Sequence, residues 1–298
     1  MFTEPDLPVG ELEAKKTFVG LIKSSLDKQK DKLGKRLIVV SCLALIGLVL
    51  FIGCSPRSNH AESALKAAII DQLYILEPDQ DFIDQATACL EAAGFDVDVY
   101  QGKQVSVSFY RQLPKHRYKL IIFRAHSGLM QRQQDSEVIV KEETYLFTGE
   151  AYSQTKYVRE QLTDQMLPAK MVEDYPSVFA VNSKFLLASM SGRFEDTAII
   201  MMGCGTTYLD DMAATFVLKG ASTYIGWDSG VGISYVDEAT LLLLKNLCIE
   251  DLTVKEAIAE IMAQEGADPS TGARLKYYPP ESGEQTIKQL IGWEAGEG

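Results

Sequence analysis

The sequence predicts an α/β domain, an open and mostly parallel sheet with helices on both faces, preceded by one N-terminal transmembrane or signal helix. Three observations lead there. Strand-like and helix-like segments alternate through residues 65–298, as they do in a sheet built from βαβ units. The runs "YKLIIFRAHSG" (118–128) and "DTAIIMMGCG" (196–205) are nearly continuously apolar, which suits strands covered on both faces rather than strands with one wet face. Leu37 to Gly53 form 17 uncharged positions, close to the lower limit of about 17 residues for a helix that spans a bilayer.

Taken in order, "AAIIDQLYILEP" (67–78) reads as a strand. "DQDFIDQATACLEAAG" (79–94) reads as an amphipathic helix with Asp79 or Asp81 at its start and Gly94 at its end, and "FDVDVYQG" (95–102) as a second strand by alternation. The segment "SVSFYRQLP" (106–114) has no clear period, and the 118–128 strand follows it. Between 129 and 195 the pattern loosens, with a hairpin expected in "EVIVKEETYLFTGEAY", a helix in "YVREQLTDQMLPA" and more strand in "VFAVNSKFLLAS". After the 196–205 run come a helix in "YLDDMAATFVLKG" stopped by Gly220, the strand "ASTYIGWDSG", and helices in "SYVDEATLLLLKNLCIE" and "TVKEAIAEIMAQEG".

This divides the chain into an N-region (1–36), an anchor or signal (37–54), a polar linker (55–64) and the α/β domain (65–298). Lys23, Lys28, Lys30, Lys32, Lys35 and Arg36 precede the apolar segment and few basic residues follow it. The N-terminus is therefore expected in the cytoplasm, and the main domain outside the cell membrane. The end of the segment, "FIGC" followed by "SP", also resembles a lipoprotein signal, in which Cys54 would carry the lipid after cleavage. Either reading exports the domain.

Residues 1–36 hold eight of the 29 basic and six of the 41 acidic residues, leaving 21 basic against 35 acidic beyond them. That surface repels a phosphate backbone, so nucleic acid is not an expected partner. Five cysteines occur, at 42, 54, 89, 204 and 248, with no CxxC pair, so neither a disulfide framework nor a zinc ribbon is indicated. Cys89 and Cys248 fall within apolar helical stripes and read as small buried hydrophobes.

Cys204 differs, because it closes a strand between Gly203 and Gly205, and ligands of open α/β sheets bind beyond the carboxyl ends of strands. His126 closes another strand. Of the other histidines, His60 lies in the linker and His116 precedes its strand, so only His126 is placed to serve Cys204. No histidine follows residue 126, which excludes papain-like order and the nucleophile-elbow hydrolases. A phosphatase loop needs arginine six residues after its cysteine, where this chain has Asp210. A thioredoxin site lacks its second cysteine, and a metal site lacks further ligands.

A histidine first and a cysteine later, each ending an apolar strand, resembles the caspase-like cysteine peptidases, a group that includes caspases, legumains, clostripain, gingipains and separase. "IIFRAHSG" and "AIIMMGCG" carry the resemblance, and "GASTYIGWDSGVG" is similar to the next strand of gingipain-type members. It implies a caspase-like sheet and an endopeptidase that uses no cofactor and acts on protein or peptide substrates. Cys204 would be the nucleophile and His126 the group that protonates the leaving amine. The N–H of Cys204, with that of Ser127 or Gly128, would hold the oxyanion. Asp228 with Trp227 would form a pocket for basic side chains. Two positions depart from the family pattern: Ser127 stands where glycine is usual, and Gly203 where alanine or serine is usual. A non-cleaving binding protein and a transamidase on the same scaffold are the alternatives.

Overall fold

A computed structural model of the chain describes residues 65–134 and 137–293. The anchor expected at 37–54, Cys54, the linker and the N-region lie outside them. Among the described residues no helix is long and apolar enough to cross a membrane.

In chain order the elements are β1 (Leu65–Asp71), α1 (Gln80–Ala92), β2 (Phe95–Gln101), α2 (Val107–Gln112), β3 (Leu120–Arg124), β4 (Ser127–Gln134), β5 (Glu137–Ala151) and α3 (Val158–Leu162). There follow β6 (Met166–Ala169), β7 (Val178–Val181), α4 (Ser183–Ala188), β8 (Thr197–Met201), α5 (Asp211–Leu218), β9 (Ala221–Trp227), α6 (Ile233–Leu244), α7 (Val254–Gln264), β10 (Leu275–Tyr278) and α8 (Ile287–Leu290).

Six strands form the main sheet in the order β10-β9-β8-β3-β1-β2, all parallel except β10, which runs antiparallel to β9. Alternation along its strands divides the core. Ala67, Ile69, Leu120, Ile122, Ala198 and Ile200 face one layer, packed with residues of α1, α6, α7 and α8. Ala68, Ile70, Ile121, Phe123, Ile199 and Met201 face the other, packed with residues of α2, α4 and α5. Both faces are covered at the centre, where β3 and β8 are buried at every position, while the edge strands β2 and β10 keep polar residues.

The helix starts follow the sequence closely. Asp79 accepts a hydrogen bond from the Phe82 N–H, Ser106 from Phe109 and Asn182 from Phe185. Thr253 with Glu256 and Thr286 with Gln289 form reciprocal capping boxes. Gly94, at φ +90°, ends α1 in a conformation that favours glycine.

The loosely patterned middle forms a second, antiparallel sheet of order β4-β5-β7-β6. Residues 137–151 are one long strand whose hairpin partner is β4, not a hairpin in themselves. The helix expected over 157–169 is only the short α3. Met166–Ala169 pair instead with β7, and α4 follows β7 where more strand was expected. Leu146, Met166, Phe179 and Val181 carry this sheet into the second core layer.

Candidate active site

The order β8-β3-β1 places the carboxyl ends of three parallel strands side by side. β3 and β8 are in register from Leu120↔Ala198 to Phe123↔Met201, and the Met202 N–H extends the ladder to the Phe123 carbonyl at 2.8 Å. The order in which strands are added reverses at β1, with β2 on one side of it and β3 on the other, and such a switch point opens a crevice for ligands beyond the carboxyl ends of β1 and β3. His126 leaves β3 beside this crevice, and Cys204 leaves β8 next to it.

The two loops are tied together directly. The Ser127 hydroxyl donates to the Cys204 carbonyl at 2.7 Å. A Cβ built on Gly203 would lie 2.2 Å from Ser127 Oγ and 2.7 Å from the Ala125 carbonyl oxygen. The two departures from the family pattern are therefore one feature: serine at 127 fills the space that a side chain at 203 would need. This gives Gly203 a steric role, while Gly205, at φ +63°, supplies the left-handed turn after the cysteine. Gly203→Ala is expected to destabilise the protein by about 1–3 kcal/mol. Adding Ser127→Gly should recover part of that loss, because only the Ala125 carbonyl then remains in the way. Urea denaturation of the four proteins checks this, and strictly additive effects would refute the pairing.

His126 is half-buried and fixed by its backbone. Its N–H donates to Gln72 Oε1 at 2.9 Å, and its carbonyl accepts from the Phe147 N–H at 3.0 Å. Its ring stands 5.9 Å from that of Phe147, centroid to centroid. Burial pushes the imidazole pKa below its ordinary 6.5, against an opposing pull from the Glu77 carboxylate, so the ring is neutral at pH 7.

Cys204 is half-exposed and lines a cavity of about 290 Å³ with Gly128, Leu129, Gly205, Tyr208, Ser229 and Gly230. Its sulfur accepts from the Val231 N–H at 3.4 Å, and the Val231 carbonyl lies 3.7 Å away. Among the described residues nothing hydrogen-bonds the Cys204 N–H, and no hydrogen bond joins the His126 ring to the sulfur. The Gly205 N–H is occupied by the Ser229 carbonyl at 2.8 Å. Burial raises the thiols of Cys89 and Cys248, the latter to about 12.

The 228–232 loop that holds the sulfur is itself braced. Asp268 accepts from the N–H groups of Gly232 and Ser270 at 2.7 Å and from that of Thr271 at 3.1 Å. Burial opposes ionisation there, but these N–H groups and the Ser270 hydroxyl override it and hold the carboxyl below the usual carboxylate range.

Three expectations need correction. Asp228 does not line the cavity. Its carboxylate accepts from the Arg274 N–H at 2.7 Å and lies 3.7 Å from Lys276 Nζ, which binds it to the β10 side. Trp227 is 1% exposed and packed edge-on against Tyr235, so it presents no face to a substrate. The helix expected from Tyr208 begins at Asp211, seven residues past Cys204. Asp211 instead accepts from the N–H and hydroxyl of Thr144, joining α5 to β5.

Beneath the site lies a group that no motif announces. Arg124 is fully buried and donates to both oxygens of Asp237 at 2.9 Å, to Asp71 Oδ1 at 3.0 Å and to the Glu77 carbonyl at 2.9 Å. The sequence signal was there, in a charge at the end of each of two apolar strands, "AAIID" and "LIIFR". Gln72, which positions the His126 backbone, had no comparable signal.

No family model matches this chain, and no curated protein is similar enough to match it.

Proposed function

We propose that the chain is a caspase-like cysteine endopeptidase, held at the cell membrane through residues 37–54 with its α/β domain outside the cytoplasm. The observation that carries this reading is the common edge: Cys204 and His126 follow adjacent parallel strands, the Ser127–Cys204 hydrogen bond joins their loops, and Cys204 lines an open cavity. Neutral His126 takes the thiol proton as Cys204 Sγ bonds to the substrate carbonyl carbon. The free Cys204 N–H meets the oxyanion in the cavity that Gly128 also lines. The C–N bond breaks, His126 returns the proton to the leaving amine, and water then hydrolyses the thioester. An amine in place of water would make the same site a transamidase.

A second reading, a binding protein that does not cleave, draws on the Val231 N–H that partners the sulfur where the imidazole does not. One experiment separates the two. Under the peptidase reading, iodoacetamide labels Cys204 well ahead of Cys89 and Cys248, and labelling stops hydrolysis of fluorogenic peptides in step with its extent. Hydrolysis that survives full labelling, or no hydrolysis across a broad panel, overturns that reading.

A further inference from the structure

A second cavity of about 110 Å³ adjoins the one at Cys204. It is lined by Gly128, Leu129, Tyr145, Phe147, Leu167 and Ala169, so Gly128 and Leu129 form a wall common to both. The β-register explains how it arises. Gly128 pairs with Tyr145, Phe147 with Ala180, and Ala180 with Leu167, so these residues share one face of the second sheet while their neighbours Leu146, Met166 and Val181 enter the core. The space over this shared Gly128 is open, since its Cβ direction meets nothing within 4 Å.

Among the described residues no charged side chain lines either cavity. The carboxylate nearest in sequence to the Cys204 cavity, that of Asp228, is already taken by Arg274 and Lys276. A lysine or arginine side chain would lose its hydration there without gaining a counter-charge, which is unfavourable. An aliphatic or aromatic side chain would bury apolar surface against Leu129, Phe147 and Leu167. The peptide backbone also has a place to pair. Among the described residues β4 is the edge strand of its sheet, paired with β5, and its first residues are the shared wall. Phe147 joins the cleft to the catalytic pair, because its ring faces His126 as well as lining the second cavity.

We infer that the two cavities are one cleft for an extended peptide, which places an uncharged residue at Cys204 and an apolar side chain in the pocket of Leu129, Phe147, Leu167 and Ala169. This deepens the peptidase reading and rests on it for the place of cleavage, but the recognition can be measured without turnover. The full-length Cys204→Ala protein in detergent is titrated with fluorescein-labelled, end-blocked hexapeptides in which each position in turn carries Leu, Phe, Arg or Asp. At one position Leu or Phe should bind at least about tenfold more tightly than Arg or Asp. Ala169→Phe, which fills the pocket from a half-buried position, should abolish that preference, and Leu167→Ala should shift it toward Phe. Equal binding of all residues at every position, no binding of any hexapeptide, or a preference that survives Ala169→Phe would each overturn the inference. Apolar preference in binding with no cleavage by the wild type leaves the cleft standing and removes the peptidase reading. Cleavage without side-chain preference does the opposite.

Discussion

Peptide hydrolysis is expected to fall to background in the Cys204→Ala protein and by about 10²–10⁴-fold in the His126→Ala protein, the range that general acid–base catalysis supplies. Under the proposed peptidase mechanism the two effects should not add, since both residues would serve the same bond-breaking steps and the double variant would have nothing further to lose. Stability should change little, because both side chains are only partly buried and stand in loops beyond the sheet. The pH profile distinguishes a proton-transferring histidine from a structural one. Burial lowers the His126 pKa, so the acid limb of kcat/KM for the free enzyme should lie below pH 6.5, and activity should hold through neutrality. Residual activity in His126→Ala should lack that limb. Unchanged rates in either single variant would remove the dyad.

The same shift bears on stability with a definite sign. A histidine whose folded pKa is depressed is neutral in both states above 6.5 and costs nothing there. As pH falls from 6.5 through the folded value, the unfolded chain takes up the proton first and folded protein is lost.

The parts of the fold readable in the sequence were those fixed by local chemistry and by burial on two faces. Asp79, Thr253 and Gly94 mark helix ends through bonds made within a few residues, and a strand apolar at every position belongs in the middle of a parallel sheet. The segment 157–189 was not readable in the same way. Met166–Ala169 continues the pattern of α3, yet its backbone partners lie further along the chain in β7, from Met166↔Val181 to Ala169↔Val178, and that pairing outweighs local propensity. Similarly β10 is four residues long, and its antiparallel pairing to β9 depends on contacts such as Asp228 with Arg274. At the site, strand-end position placed His126 and Cys204 on one edge, but side-chain direction decided the rest. Asp228 ends its strand as an acidic pocket residue would, and it points to β10. Ser127 and Gly203 appeared as two unrelated departures because only the β3–β8 register brings them together.

Arg124→Met should lower stability by about 3–5 kcal/mol in urea denaturation, the cost of leaving buried charge unpaired, and it should do so most severely near pH 7–8. The guanidinium stands between two carboxylates that are themselves buried, and burial raises both Asp71 and Asp237 while Arg124 opposes the rise. Asp71 Oδ2 has no hydrogen-bond partner among the described residues, so Arg124 is the main reason this carboxyl tolerates its position. Without the cation, both folded pKa values move further above 3.8. A carboxyl raised in the folded state contributes stability that is present below its unfolded pKa and lost as pH rises through the folded one. The deficit of the methionine variant should therefore shrink toward pH 4. Adding Asp71→Asn and Asp237→Asn should recover much of it at neutral pH, because the charges that lacked a partner are then gone. Geometry makes the network more than a core contact. Arg124 lies two residues before His126, and Asp237 lies in α6, just beyond the loop whose Val231 holds the Cys204 sulfur, so this one ion pair connects the supports of His126 and Cys204. Arg124→Lys keeps the charge but loses the two-pronged grip on Asp237. In that variant kcat should fall by more than the change in stability accounts for, while KM for a peptide substrate stays close to wild type. An equal loss in a distant core variant of matched stability would show that Arg124 contributes to folding alone.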